Sequence, residues 1–299
     1  TFRGLNPMVV LPRIPGHEIG GRIIEKGSDV PAAFEVGRSS IVIPYSECGR
    51  CSACHAGRPN ACRDNQTLGV QRDGGMADKI TIRHDRLILN DHLPSRHLAI
   101  VEPLAVGFHS VGRGGVSKDD VVAVLGGGMI GVGAMIGALA RGARVIAIEV
   151  SAAKFQTIQS IGVENVLDPN AVDIADAVGR HTDGQGADVV IEAVGLPETF
   201  RATVDLACFA GSIVYIGYAK EPVTYDTKFF NLKELDMFGS RNATRTDFEA
   251  VITWLEQNPE IADMLITKVF RWREAEKAFP YWEGARDETF KILLDLIDD

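Results

Sequence analysis

"VVAVLGGGMIGVGAMIGALARGARVIAIEVSAAK", Val121 to Lys154, is the stretch that decides the fold. Val121 to Ala140 carries no charge over about the twenty residues a bilayer-spanning helix needs. Gly133 and Gly137 even have the spacing of packed membrane helices. Three consecutive glycines after a β-branched run argue otherwise: they predict a strand, a tight turn and then a helix. Val121–Leu125 is continuously apolar, as a parallel strand covered on both faces should be. Gly126-Gly127-Gly128-Met129-Ile130-Gly131 fits G-x-G-x-x-G. In that pattern Gly126 permits the turn, Gly128 lets the backbone approach a pyrophosphate, and Gly131 lets helix pack on strand. The helix, with Ile130 in its first turn, then points its positive end at phosphate. A second apolar strand, Arg144–Ile148, ends at Glu149, where a carboxylate accepts from ribose hydroxyls and repels a 2′-phosphate. NAD is therefore expected over NADP, although Lys154 nearby is a residue that tolerates a phosphate. The glycines alone are a weak signal; strand, glycines, helix, strand and acid in register are a strong one.

The alternation continues. "ADVVIEAVG" (Ala187–Gly195), "GSIVYIGYA" (Gly211–Ala219) and the shorter "LDMFGSRNA" (Leu235–Ala243) read as further strands of a doubly wound parallel α/β sheet. Ligands collect beyond the carboxyl ends of such strands. That reading places Val194, Gly195, Gly217, Ser240, Arg241 and Asn242 around the cofactor.

A chain of 299 residues is long enough for two ordinary domains. The net charge of −9, with Lys and Arg scattered along the chain, argues against nucleic acid and anionic membrane as partners. The opening "TFRGLNPMVV" lacks the basic start and apolar run of a secretory signal, so a soluble cytoplasmic protein is expected.

Four of the five cysteines lie in "CGRCSACHAGRPNAC". The spacing is Cys48-x2-Cys51-x2-Cys54-x7-Cys62. A disulfide framework belongs to small secreted scaffolds, and a redox centre needs one Cys-x-x-Cys, not three overlapping steps. Four thiolates in one loop suit tetrahedral zinc with Zn–S bonds of about 2.3 Å. Gly49, Gly57 and Pro59 let the loop curl. A closed shell of four protein ligands leaves no open position, so this zinc is structural. Cys208, in the apolar "DLACFAG", is expected in the core.

His17 and Glu18 are adjacent in "PRIPGHEIGG", and Glu102 precedes a proline in "VEPLAVGFHSV". Each alone is weak; on either side of a zinc loop they read as ligands of an open, catalytic zinc. The chemistry explains the need. Zinc lowers the pKa of bound water from 15.7 to about 7, worth roughly 12 kcal/mol, whereas acid–base help alone is typically 10²–10⁴-fold. No cysteine precedes His17 to supply a thiolate ligand there.

Together "GHEIGG", the cysteine loop, "DGGMADKITI", "EPLAVG", "VLGGGMIG" and "TFKILLDL" resemble the zinc-containing, medium-chain alcohol dehydrogenase superfamily over essentially the whole chain. The resemblance implies a GroES-like, mainly β catalytic domain around a Rossmann domain. Residues 1–112 and 243–299 would form the first and 113–242 the second. It also implies catalytic zinc at His17, with Glu18 and Glu102 in or beside the shell, structural zinc at Cys48, Cys51, Cys54 and Cys62, and a homodimer or homotetramer. "IPYSECGRCSACHAGRPNAC" and "FFNLKELDMFGSRNATRTDF" look like the polyol and sugar-acid branch acting on hexonates such as L-galactonate or L-gulonate. There Arg241 would hold either a substrate carboxylate or the cofactor. A sorbitol- or threonine-type dehydrogenase and a non-catalytic NAD-binding fragment are the competing readings. Family members carry a Cys-Gly-x-Ser/Thr-Asp segment just before the residues that open this chain. It supplies the first zinc ligand and a relay hydroxyl. Its absence reads as truncation of a longer enzyme.

Overall fold

Three short strands come first: β1 (Gly20–Arg22), β2 (Ser39–Val42) and β3 (Leu87–Leu89), an antiparallel sheet in that order. Six more follow: β4 (Val121–Leu125), β5 (Arg144–Ile148), β6 (Asn165–Leu167), β7 (Ala187–Glu192), β8 (Ala207–Tyr215) and β9 (Asp236–Gly239). They form one parallel sheet in the order β6-β5-β4-β7-β8-β9. The last two, β10 (Ile266–Arg271) and β11 (Lys291–Asp295), pair parallel with each other. The structure is a computed structural model that describes residues 9–296. The leaderless opening read in the sequence falls mostly on residues 1–8, outside the described residues, as do 297–299.

The six-stranded order is that of a doubly wound sheet, and its strand order reverses between β4 and β7, where such sheets bind ligands. Both strands are nearly solid with β-branched and small apolar side chains: Val122, Ala123, Val124, Val190 and Ile191 are fully buried. The helix Met129–Leu139 that follows β4 is buried almost all round, with Val132, Ala134, Met135, Ile136 and Ala138 at 0% exposure. Burial on every side explains its uninterrupted apolar sequence. Among the described residues no helix is long and apolar enough to cross a membrane.

The chain divides into two compact units. One comprises the described parts of Thr1–Glu102, Asn242–Gly284 and Lys291–Asp299; the other comprises Pro103–Arg241 and Ala285–Phe290. Both boundaries differ from the 112/113 and 242/243 divisions expected from sequence. From Pro103 onward the helix Val101–Arg113 goes with the sheet, because glycines let it approach the helix after β4. A Cβ on Gly107 would lie 2.3 Å from the Ala134 nitrogen and the Ile130 carbonyl oxygen, and one on Gly133 would lie 2.5 Å from the Leu104 carbonyl oxygen. Residues 285–290 also join the sheet-bearing unit: Ser151 Oγ donates to the Asp287 carbonyl at 2.5 Å, and the Lys154 ammonium stands 5.7 Å from the Phe290 ring centroid.

Strand limits differ too. β7 stops at Glu192, and β8 begins at Ala207, four residues before the expected Gly211, with a register shift between Ala187 and Val189. Lys233 Nζ makes the early start possible by donating to the Val204, Asp205 and Ala207 carbonyls at 2.8, 3.3 and 2.7 Å, which would otherwise end the helix Pro197–Leu206 unsatisfied. Cys208 lies in this extension and is half-buried beside Asp188, 3.9 Å away, and not in the core as expected. In the other unit the core lies around Ile41, Leu98, Phe248, Val251, Leu255 and Leu265.

Because its Cβ would meet backbone atoms on both contacts, Gly107→Ala should overpack the helix pair by about 1–3 kcal/mol. A thermal melt reads this as a Tm lowered by several degrees; an unchanged Tm would contradict the close approach.

Candidate metal centres and dinucleotide loop

The thiol loop folds into a nest. Gly49 and Gly57 sit at φ +71° and +70°, values open to glycine at no steric cost, and Pro59 opens a short 3-10 turn. The Cys51–Cys54, Cys51–Cys62 and Cys48–Cys62 sulfur separations are 3.5, 3.8 and 3.5 Å. These exceed a disulfide's roughly 2.05 Å and approach the edge of about 3.8 Å that a tetrahedron with 2.3 Å Zn–S bonds requires. All four sulfurs lie within 4.8 Å of one another. The Cys48 amide donates to Cys62 Sγ at 3.3 Å. The Arg63 amide, and then that of Cys54, hold the Cys51 thiol down to about 6. Loss of hydration, together with hydrogen bonds to Cys51 and Cys62, pushes Cys54 up to about 11. Amides aimed at sulfur favour the thiolate, which is the form a metal binds. The donor set fits a closed zinc shell.

The second cluster is built by three elements of one unit. The loop before His17 lies against a glycine turn: the Gly74, Gly75 and Met76 amides donate to the Ile14, Gly16 and Pro15 carbonyls at 2.8, 2.9 and 3.0 Å. A Cβ on Gly74 would be 2.2 Å from the Gly16 carbonyl oxygen, which is why "DGGM" carries two glycines. Glu102 occupies the first turn of Val101–Arg113, where the helix dipole favours an acid. One ligand atom from each of His17, Glu18 and Glu102 lies within 4.8 Å of the others.

Two groups hold those carboxylates. Lys291, which opens β11, pairs with Glu18, with side-chain exposures of 14% and 29%. Burial opposes ionisation of Glu18, but the Lys291 ammonium and His17 together outweigh it, and its pKa is lowered. Glu102 is 5% exposed and accepts from the Tyr45 hydroxyl. Burial pushes the Glu102 carboxyl up, His17 draws it down, and Glu18 adds a repulsion. Burial likewise drives the Tyr45 phenol well above its ordinary range, Glu102 adding to it. Tyr45 is packed edge-on against Phe248, 6.3 Å between centroids. An imidazole and two carboxylates brought this close form a donor set that fits one divalent cation.

In the other unit the glycine loop follows β4. Gly126 takes φ +100°; Gly128 stands at the N-terminus of Met129–Leu139, and a Cβ there would meet nothing within 4 Å. A Cβ on Gly131 would be 1.9 Å from the Gly126 carbonyl oxygen. One glycine turns, one leaves the helix end open to a ligand, and one permits packing. Glu149, 7% exposed, accepts from the Gly127 amide at 2.6 Å and the Ser151 amide at 2.8 Å. Ile130, at 36%, and Val194, at 43%, are exposed. Gly195 and Gly217 come close enough that a Cβ on Gly217 would lie 2.7 Å from the Gly195 amide nitrogen. Ser240, after β9, has a buried Oγ without a partner among the described residues. The open cradle at Gly128 and the orphaned hydroxyl fit a dinucleotide.

Two residues expected at the cofactor lie differently. Asn242 adopts φ +55° and donates through Nδ2 to the Asn60 carbonyl at 2.9 Å, in the thiol loop of its own unit. Lys154 covers the Phe290 ring. Arg241 is exposed. Sequence reasoning missed Tyr45 and Lys291. The only signal for either was membership of the quoted motifs "IPYSEC" and "TFKILLDL".

Replacing Lys291 by Met leaves Glu18 without its cation. A carboxyl whose folded pKa is lowered contributes stability above its unfolded value of 4.5, and that contribution is lost as pH falls through the folded value. Lys291→Met should therefore cost about 1–3 kcal/mol at pH 7, discounted for partial exposure. In chemical unfolding the parent–variant gap should shrink below about pH 4.5; a gap independent of pH would contradict the pairing.

Comparison with known proteins agrees with this geometry. Residues 1–92 match the model of the alcohol dehydrogenase GroES-like domain, and residues 130–257 that of zinc-binding dehydrogenases. The chain is 33% identical to an L-galactonate-5-dehydrogenase of Escherichia coli, over 89% of this chain and 78% of that protein. It is also 33% identical to a sorbitol dehydrogenase of Halalkalibacterium halodurans, over 100% and 87%. A structure described as a zinc-binding dehydrogenase of Sinorhizobium meliloti bound to NADP superposes with a TM-score of 0.85 at 29% identity, covering 96% of this chain and 85% of that one. With a doubly wound sheet, a four-thiol loop and relatives of this similarity along nearly its full length, the chain belongs to the zinc-containing medium-chain alcohol dehydrogenases, in their polyol and sugar-acid branch.

Proposed function

We propose that this dehydrogenase oxidises a secondary hydroxyl of a sugar acid, a hexonate, and passes the hydride to NAD. In this reading Cys48, Cys51, Cys54 and Cys62 hold a structural zinc, and His17, Glu18 and Glu102 hold a catalytic one. The observation that carries the reading is the meeting of one imidazole and two inward carboxylates in a chain that also carries the glycine loop with Glu149 behind it. A zinc bound there would supply Lewis acidity, bringing a hydroxyl's pKa within reach of neutral pH.

The chain's own residues do the rest. Tyr45 fixes one oxygen of Glu102, and Lys291 offsets the charge of Glu18, so both carboxylates stay directed inward. Gly128 leaves the helix terminus open to the pyrophosphate. Glu149 has two of its roughly four acceptor positions taken by amides, leaving the others for ribose hydroxyls and none for a 2′-phosphate. Arg241, with a planar fork that matches a carboxylate, is the residue that separates acids from neutral polyols. A neutral polyol is the second reading, favoured by the equal identity to a sorbitol dehydrogenase.

Substrate profiling decides. NAD reduction with hexonates and not with sorbitol is expected, and Arg241→Ala should raise KM for acids by about 10- to 100-fold while leaving any residual polyol turnover alone. Turnover of sorbitol with no acid preference moves the chain to the second reading. Tighter binding of NADP than of NAD would overturn the role of Glu149.

Elemental analysis should find both zincs, and Cys62→Ser should remove one of them and lower the Tm. A metal content unaffected by that change would remove the structural zinc from the loop.

A further inference from the structure

We propose that Glu192 is a positioning residue for the dinucleotide, its carboxylate tying the loops after β7 and β8 into one rigid cofactor-side surface. The inference rests on the cofactor reading above and deepens it.

Glu192 ends β7 and is fully buried. Its Oε1 accepts three bonds: from the Val194 amide at 2.9 Å, the Gly195 amide at 2.7 Å and Thr199 Oγ1 at 2.8 Å. Its main-chain carbonyl accepts from Ile216 at 2.9 Å and Gly217 at 3.2 Å. One residue therefore grips residues 194–195 with its side chain and 216–217 with its backbone. The remaining oxygen, Oε2, is buried with no partner among the described residues. It faces Gly217, where a Cβ would lie 2.4 Å from it and 2.8 Å from Gly195 Cα. The two loops meet backbone to backbone, and no side chain fits between them.

The consequence follows from peptide geometry. Turning the Val194 and Gly195 amides inward turns the carbonyls of Ala193 and Val194 away from the carboxylate, because each peptide is trans. The Ala193 carbonyl oxygen lies 3.2 Å from where a Cβ of Gly126 would stand, beside the turn of the glycine loop. The carboxylate thus sets the direction of the main chain that borders that loop. Packing does not call for an acid here. A buried carboxylate that makes no ion pair among the described residues is costly, and every other residue of β7 after Asp188 is aliphatic.

NADH binding, followed by fluorescence on the full chain and its variants alongside thermal melts, tests the inference. Glu192→Leu keeps bulk and removes every acceptor. It should fold and bind NADH at least about tenfold more weakly, as misplaced binding groups do. Glu192→Gln keeps the accepting oxygen and should restore affinity to within about threefold. A folded Leu variant that binds NADH like the parent overturns the inference, as does a Gln variant no better than Leu. Should the Leu variant fail to fold, Gly217→Ala, which drives a methyl against Oε2 and Gly195, should show the same loss in a chain that still melts cooperatively, at a Tm lowered by several degrees; unchanged binding there is equally fatal. A parent chain that binds neither NADH nor NADPH overturns the cofactor reading and this inference together.

Discussion

The carbonyl oxygen of Gly126 occupies the space that a side chain on Gly131 would need, 1.9 Å from the missing Cβ. The sheet-bearing unit is organised around that contact. It sets the angle at which the helix Met129–Leu139 leaves β4, and that helix is then close enough for Gly133 to touch the backbone of Leu104 and for Ala134 to touch Gly107. Three layers of main chain are brought within backbone contact by four glycines. Glycine loses more entropy on folding than any other residue, so such a stack persists only where close approach matters more than local stability. Here it leaves a helix terminus free of side chains at the switch point of the sheet.

The other unit is organised by charge. Two carboxylates and an imidazole share a region where one acid is nearly buried, and the repulsion between Glu18 and Glu102 acts against the fold. Lys291 and Tyr45 offset it unequally. The lysine contributes a full charge to Glu18, so that acid is held ionised; the phenol contributes one hydrogen bond to Glu102, whose carboxyl is still pushed up by burial. The pair differ by environment and not by chemistry, which is how a site keeps two acids from competing for the same state.

Features that repeat or cluster in sequence were legible before any coordinates. The glycine pattern, the thiol spacing and the apolar runs of β4 and β5 each involve several residues at fixed offsets, and a tight turn, a cluster of four sulfurs and two strands form at those residues. Val121–Leu125 and Arg144–Ile148 are strands to the residue. Single residues were not legible. Tyr45, Lys291 and Glu192 act through partners 57, 273 and, for the nearest loop amide, only 2 positions away, and no periodicity announces such pairings. The early start of β8 depended on Lys233 capping a helix end almost thirty residues before it, and the half-burial of Cys208 followed from that start. The boundary at residue 102 was missed because Gly107 and Gly133 look like ordinary helix-weakening glycines until the helices they join are seen together.

Glu149 shows how far such sharing goes. The acid that sequence assigns to the ribose also accepts from Gly127 and Ser151, one on each oxygen, and a Cβ on Gly127 would lie 2.7 Å from its Oε2. It thereby fixes the middle of the glycine loop and the start of the turn after β5. Ser151 in turn reaches the Asp287 carbonyl, in the segment that returns to this unit near the end of the chain. In the proposed cofactor role of Glu149, discrimination between NAD and NADP would not be separable from the shape of the glycine loop. Removing the carboxylate would also release the Gly127 and Ser151 amides that it holds. On that proposed reading, a cofactor switch would have to supply another acceptor for Gly127 before it supplied a cation for a 2′-phosphate.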